Sequence, residues 1–382
     1  MKKLGNIFKG DVAIWVVFFI LSAVSLVAVY SSIGQMAIEA KESTATQVFA
    51  RHLAIVLATY IGIILISNIR YQNFFKLSIP AYWLSVILLL VTLFIGKDHR
   101  WVYLPLIGTF QPSEVAKVAL VIFTARILTQ RKSDIESKES FWMSLLPTAI
   151  VSVLVLPGNF STAALIFLSC FIMVRFGGVN PKYWNLTLLI GGGCAILALF
   201  IFYQWGDDIQ LFRSATWGGR IDRWLHPDYD AINQENMAKM AIARGKFAGA
   251  GVGSTVHARL MTQAYNDFIY AIIIEEGGMF WGLIVLMLYA TFYFRCIMIA
   301  VHCKGLFGAL TVAGLGTVIF LQALSNMCVA VGVLPVTGQT LPFISYGGTS
   351  YVFLGSSIGV IQSVANYNKQ QAKKTQQYES NH

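Results

Sequence analysis

The chain has 382 residues, 56% of them hydrophobic and only 12% charged, with a formal net charge of +10 and a mean hydropathy of +0.65. A soluble domain carries about 25% charged residues, so a soluble fold is excluded. A nucleic-acid partner is excluded as well, because the positive charge follows membrane topology instead of gathering on one basic face. The five cysteines (Cys170, Cys194, Cys296, Cys303 and Cys328) lie in or beside apolar runs without metal-ligand spacing and read as small packing residues.

A membrane-crossing helix needs about 20 apolar residues. Ten candidate segments follow one another at about 12–33, 52–69, 77–96, 112–129, 141–157, 161–176, 184–203, 268–300, 306–328 and 350–366. The expected fold class is an all-α polytopic membrane protein with ten transmembrane helices and a large extracytoplasmic loop between helices 7 and 8. One membrane domain is expected over 1–366. The polar tail at 367–382 is expected to be disordered. The first run exceeds the apolar core of a cleaved signal peptide, which is about 7–15 residues, and reads as a retained span.

Arg51 stands at the head of the second segment, where an interfacial anchor is one reading and a substrate contact another. Arg100-Trp101 has the same two readings, because an arginine beside a belt tryptophan can simply snorkel. The fourth segment opens Gln111-Pro112-Ser113-Glu114-Val115-Ala116-Lys117. Pro112 suits a first helical turn, and Glu114 and Lys117, three residues apart, share a helix face. A charge in the middle of a bilayer costs about 2.5–3.5 kcal/mol on insertion scales. The pair is therefore either a salt bridge capping the helix or a charged set facing a hydrated cavity. Pro157-Gly158-Asn159-Phe160 makes a tight turn between the fifth and sixth segments.

From about 204 to 267 no spanning-length apolar run occurs, and charges of both signs accumulate, among them Arg220. A large polar loop held by a rigid bundle is where chemistry is commonly placed. Asp267 closes the loop, just before Phe268-Ile269-Tyr270-Ala271 re-enters the membrane. Glu275-Glu276 follow on different helix faces, with helix packing and catalysis both open as roles. Gly249, Gly251 and Gly253 lack the strand-then-helix setting of a dinucleotide site and read as a surface turn. The run from Leu334 to Ser350 holds two prolines and several glycines, which forbids a regular helix. Irregular backbone at membrane depth is tolerated against protein or a water-filled cavity, so this run is expected to line an outer cavity.

With ten spans, both termini share one side. Placing them in the cytoplasm puts sixteen of the 28 Lys and Arg residues inside, and thirteen of the 18 acids in the bundle or outside. That is the bias of the positive-inside rule. The long loop then faces outwards, where no ATP is expected, so a reaction there needs an already activated substrate.

Taken in order, five features resemble one family, the SEDS proteins (shape, elongation, division and sporulation), whose main branches are FtsW and RodA. They are Arg100-Trp101; Gln111-Pro112-Ser113-Glu114 with Lys117; Arg220-Ile221 followed by Pro227; Asp267-Phe268-Ile269-Tyr270-Ala271 with Glu275-Glu276; and Leu341-Pro342 with Ser345-Tyr346-Gly347-Gly348-Thr349-Ser350. The resemblance covers nearly the whole chain. It implies a peptidoglycan glycosyltransferase of the bacterial cytoplasmic (inner) membrane. The reaction it implies polymerises lipid II into β-1,4 glycan strands and releases undecaprenyl diphosphate. The partners it implies are a class B penicillin-binding protein and other divisome or elongasome proteins. The family's essential aspartate falls on Asp267, its glutamate and lysine on Glu114 and Lys117, and its second-span arginine on Arg51. Arg100, Gln111, Ser113, Arg220, Glu276, Ser345, Gly347, Gly348 and Ser350 are the expected substrate contacts. No cofactor is required by the sequence. A divalent cation, Mg or Mn, is compatible with a diphosphate leaving group, although no metal ligands are identified.

The chain departs from the family pattern in places. Met261-Thr262-Gln263-Ala264-Tyr265-Asn266 replaces a Leu-Pro-Glu-x-His-Thr run, Met237-Ala238 a Gln-Ser pair, and Trp217-Gly218-Gly219 the arginines before Arg220. Gly158-Asn159-Phe160-Ser161-Thr162 stands for a Pro-Asp-x-Gly-Thr turn. Ala241-Ile242-Ala243 with the Gly249–Ser254 run, and Gly338-Gln339-Thr340-Leu341-Pro342, favour the division branch over elongation. The rival of a different class is a lipid II flippase, which would also need polar residues in a bundle and a broken helix. The conspicuous charges cluster at the outer side, which favours the enzyme.

Overall fold

The computed structural model describes residues 8–39, 45–96, 98–104, 108–205, 214–226, 228, 233–257, 261 and 264–380. Helices α1 (Val12–Glu39), α2 (Ala45–Ser67) and α3 (Tyr71–Ile95) lead into a small antiparallel hairpin. Its strands β1 (Val102–Leu104) and β2 (Gly108–Phe110) place Val102 opposite Phe110. Four helices follow: α4 (Pro112–Gln130), α5 (Lys138–Val155), α6 (Phe160–Phe176) and α7 (Pro181–Trp205). The polar stretch contains α8 (Ser214–Leu225), α9 (Gln234–Gly245) and the single turn α10 (Ala264–Asp267). The chain closes with α11 (Ile269–Val301), α12 (Leu306–Ala330) and α13 (Thr349–Ser380).

A helix occupies each of the ten segments singled out by hydropathy. Among the described residues, six helices are long and apolar enough to cross a membrane, and Phe160–Phe176 is a shorter apolar one. Their outward faces carry Leu57, Ile61 and Leu65 of α2 and Phe94 and Ile95 of α3, all exposed. Such surfaces are stable only against lipid. Two of the remaining helices fall short for a visible reason. Helix α4 carries three charges, Glu114, Lys117 and Arg126, and the apolar part of α13 is diluted by Ser356, Ser357, Gln362 and Ser363. The polar tail, expected to be disordered, is helical through Ser380; its Gln, Lys and Ala residues favour a helix once a preceding one removes the cost of nucleation.

Local chemistry sets the helix starts near the Asp267 end of the bundle. Pro112 opens α4 at a position where its missing N–H costs nothing. Asn159 caps α6 by accepting from the Thr162 N–H at 3.1 Å, and Asn233 caps α9 through the Asn236 N–H at 2.8 Å. Helix α11 kinks at Gly278, where φ is +78°. A β-carbon there would meet the Phe247 carbonyl at 2.2 Å, so only glycine lets the long polar loop approach so closely. Helix α12 is the central member, with 78% of its most apolar window enclosed, packed against α4, α6 and α11.

Candidate active site

The site is built on the irregular segment between α12 and α13. Its residues from Gly338 to Ser345 are nearly all buried, and Gly338 and Phe343 take positive φ angles of 64° and 62°. A backbone so irregular exposes carbonyls that no helix satisfies, and a buried unpaired carbonyl is costly. Side chains from distant elements satisfy them. Arg220 Nη1 donates to the Val336 carbonyl at 3.1 Å, and Arg100 Nη2 to Gly338 at 3.1 Å. Asn326 Nδ2 donates to Gln339 at 2.7 Å, and Gln322 Nε2 to Thr340 at 3.1 Å. The side chain of Gln339 in turn reaches Thr162 Oγ1 on α6 at 2.5 Å.

Behind this segment lies the Glu114–Lys117 pair. Lys117 Nζ is 2.9 Å from Glu114 Oε1, with the two side chains 0% and 5% exposed. Lys117 also donates to Gln322 Oε1 at 2.8 Å. Glu114 Oε2 is buried and has no hydrogen-bond partner among the described residues, so one acceptor of the pair stays open. Of the two readings of the pair, the salt bridge is formed, and it is buried inside the bundle.

Asp267 ends the one-turn α10 and is partly exposed. Its carbonyl accepts from Asn326 Nδ2 at 2.8 Å. The preceding Asn266 carbonyl accepts from Ser345 Oγ at 2.6 Å, and Tyr265 from the Tyr346 N–H at 3.1 Å. Three consecutive carbonyls are thus pinned, which fixes the backbone from which the carboxylate projects. A β-carbon on Gly338 would sit 3.7 Å from Asp267 Oδ2 and 3.9 Å from Arg100 Nη1, so the acid and the guanidinium both border the same bare stretch of backbone. Burial pushes the Asp267 carboxyl above the usual aspartate range, and the positive charges of Arg100 and Arg220 pull it back only in part.

The other candidates divide. Gln111 and Ser113 are buried and bonded to each other at 2.9 Å, beside Arg100 and Asn159. Ser345 also accepts from the Leu341 N–H at 2.8 Å, holding the segment's own turn. Gly347 and Gly348 begin the approach to α13, with open space around Gly348, and Ser350 is buried in its first turn. Arg51 is exposed on α2, with no bond to the cluster among the described residues. Glu276 belongs to a different feature. Its Oε1 accepts from the Gly253 N–H at 3.1 Å, while the neighbouring Glu275 carboxylate gathers Arg244, Thr255, Val256 and His257. Together these two acids fasten the long polar loop to α11.

Gln322 and Asn326 are absent from the sequence-derived candidates. They lie four residues apart on one face of α12, buried at 0% and 1% exposure. One joins Lys117 to the irregular segment, and the other joins that segment to Asp267. Two carboxamides at helical spacing inside a span of mean hydropathy 1.8 are the signal that could have found them. Lys117 and Asp267 make no direct ion pair among the described residues; these two side chains supply the link.

Beside the segment, α6, α8 and α12 enclose an apolar cavity of about 560 Å³, walled by Phe160, Leu165, Leu324, Pro335 and Trp224, with Arg220 in its lining. No cluster of three or more His, Cys, Asp or Glu that could hold a metal occurs among the described residues. Mg²⁺ is commonly held by one or two carboxylates together with substrate phosphates. Asp267 supplies one carboxylate under the influence of two cationic groups, a set that suits an anion first.

A family model described as "Cell cycle protein" (FTSW_RODA_SPOVE) matches residues 11–370. The chain is 31% identical over 311 residues to a probable peptidoglycan glycosyltransferase FtsW of Nitrosococcus halophilus, covering 78% of this chain and 77% of that one. It is 28% identical over 373 residues to the protein of the same name from Haemophilus influenzae, covering 94% and 91%. In three dimensions it superposes on Thermus thermophilus rod shape determining protein RodA with a TM-score of 0.68 at 21% identity, over 94% of this chain and 98% of that one. A chain from a study of the coordination of polymerization and crosslinking by a peptidoglycan synthase complex gives a TM-score of 0.72 at 23% identity, over 93% and 97%. These two likenesses establish the fold.

Proposed function

The chain belongs to the FtsW/RodA/SpoVE family, and from that premise we propose that it is a peptidoglycan glycosyltransferase that polymerises lipid II. The observation that carries the proposal is Asp267, pinned through its backbone at the loop exit within the electrostatic reach of Arg100 and Arg220, the second of which also lines the apolar cavity. Asp267 takes the proton of the GlcNAc 4-hydroxyl on the acceptor lipid II. The freed oxygen attacks C1 of the donor sugar, the C1–O bond to phosphate breaks, and undecaprenyl diphosphate leaves with the electron pair. Attack from the opposite face converts the α-linked donor into a β-1,4 product. A carboxyl with a raised pKa suits the role, because a general base works best near the operating pH.

Arg100 and Arg220 stand where charge develops on the leaving diphosphate. The apolar cavity is suited to the first isoprene units of a lipid carrier. Lys117, held by Glu114 and Gln322, keeps a fixed positive potential behind the segment. The surrounding scheme is a ten-span protein of the bacterial cytoplasmic membrane with both termini inside and the site outside. It acts with a class B penicillin-binding protein, in septal synthesis in preference to elongation.

The test is polymerisation of purified lipid II by the full chain with its transpeptidase partner. Asp267→Asn should lower the rate by about 10²–10⁴-fold, the usual worth of general-base help. Equal glycan output from the native chain and the variant would sink the assignment.

A further inference from the structure

We propose that the end of the bundle opposite Asp267 holds a binding site for the phosphate headgroup of an anionic lipid. Arg295 lies 26 residues beyond the start of α11, roughly 40 Å along the helix at 1.5 Å per residue. There an open cavity of about 380 Å³ is lined by Arg295, His302, Lys304 and Lys369, with Met298 and Ile299 among its apolar walls. The cationic groups converge from the end of α11, the turn after it and the helical tail, so they do not form a single charged stripe.

The only acid in the lining, Asp11, is already taken. It pairs with Arg295 and accepts from the Ile14 N–H at 3.1 Å. Lys304 is exposed and makes no bond among the described residues, while Lys369 donates only to the Gly10 carbonyl at 3.2 Å. Two ammonium groups are therefore left without a counter-charge at one concave site. The wall beneath them is built to a tight tolerance. Gln362 bonds the Asp11 backbone twice, at 2.7 and 3.0 Å. At Gly10, φ is +97° and a β-carbon would lie 2.2 Å from Gln362 Oε1. A cationic rim over an apolar wall fits an amphiphile better than a free anion, and basic pockets at the ends of membrane helices are a known way to hold lipid headgroups.

The inference is independent of the polymerase reading, and so is its test. The full chain is placed in nanodiscs of phosphatidylglycerol and phosphatidylethanolamine, and native mass spectrometry reads the lipids that stay bound on release. Phosphatidylglycerol should be retained in clear preference. The Lys304→Gln/Lys369→Gln variant should hold it about 30-fold more weakly, as expected for the loss of two near-surface cationic contacts, with an unchanged melting temperature. Equal retention of the two lipids, or undiminished retention by the variant, overturns the proposal. Release of the lipid by millimolar inorganic phosphate assigns the pocket to a free anion and also overturns it.

Discussion

Two charged regions meet at the irregular segment, and they are made in opposite ways. Glu114 and Lys117 are enclosed, adjacent on one helix and bonded to each other and to Gln322. Asp267 is partly exposed and held through its backbone, with its carboxylate left over the bare Gly338. Lys117, enclosed and bonded to both Glu114 and Gln322, can hold a potential but cannot follow a reaction. A side chain whose backbone alone is fixed keeps its lone pairs for substrate. The difference assigns the pair to electrostatic support and the aspartate to proton transfer.

That division can be broken most severely at Lys117. Lys117→Met leaves the Glu114 carboxylate buried without its partner, which typically costs about 3–5 kcal/mol. The variant should unfold at a markedly lower temperature in detergent, and Lys117→Met/Glu114→Gln should recover much of the loss. Asp267→Asn should leave the melting temperature near that of the native chain while abolishing polymerisation. If both variants lose stability alike, the two regions are one structural cluster and the division of roles fails.

Asn326→Ala probes the join between them. It strips the Asp267 and Gln339 carbonyls of their donor, and a buried acceptor left unsatisfied costs about 1–3 kcal/mol. Small misplacement of a reacting group can cost about 10²-fold in rate, so kcat should fall more than KM rises. Wild-type kcat with altered stability alone would remove Asn326 from the positioning of the base.

Much of this arrangement is legible in the chain itself. Spacing puts Glu114 and Lys117 on one face, and the loop exit isolates Asp267, because charge in an apolar context stands out. The prolines and glycines from Leu334 onward announce an irregular backbone. What escapes is the partnership. Gln322 and Asn326 are uncharged and sit in a helix that otherwise reads as lipid-compatible, so their role appears only when the carbonyls they satisfy are in view. Glu276 is the converse case. Its charge drew it into the site, whereas its bond to Gly253 ties it to the long polar loop. Asn159 stands where the family has an aspartate and still caps α6, because a cap needs only an acceptor oxygen.

Acidity offers a finer probe. Because Asp267 titrates above the usual aspartate range, the base is lost to protonation as pH falls through that raised value. The acid limb of the pH–rate profile should therefore lie above the ordinary range of about 3.9. Arg220→Gln removes a positive charge that favours the ionised form, so the limb should move to still higher pH. A limb that does not move in Arg220→Gln would uncouple the arginine from the base.

The smallest effect on stability is expected at Arg51, which separates fold from substrate most cleanly. It is exposed and makes no bond among the described residues, so Arg51→Gln should shift stability by no more than about 0.5 kcal/mol. Nothing inside the protein then depends on its charge, and any change in polymerisation reports on something that approaches from outside. If Arg51 meets the diphosphate of incoming lipid II, KM should rise with little change in kcat, since the contact is made equally in the ground state and the transition state. If KM and kcat both stay at their native values, Arg51 is an interfacial anchor and the working cations are the two that face Asp267.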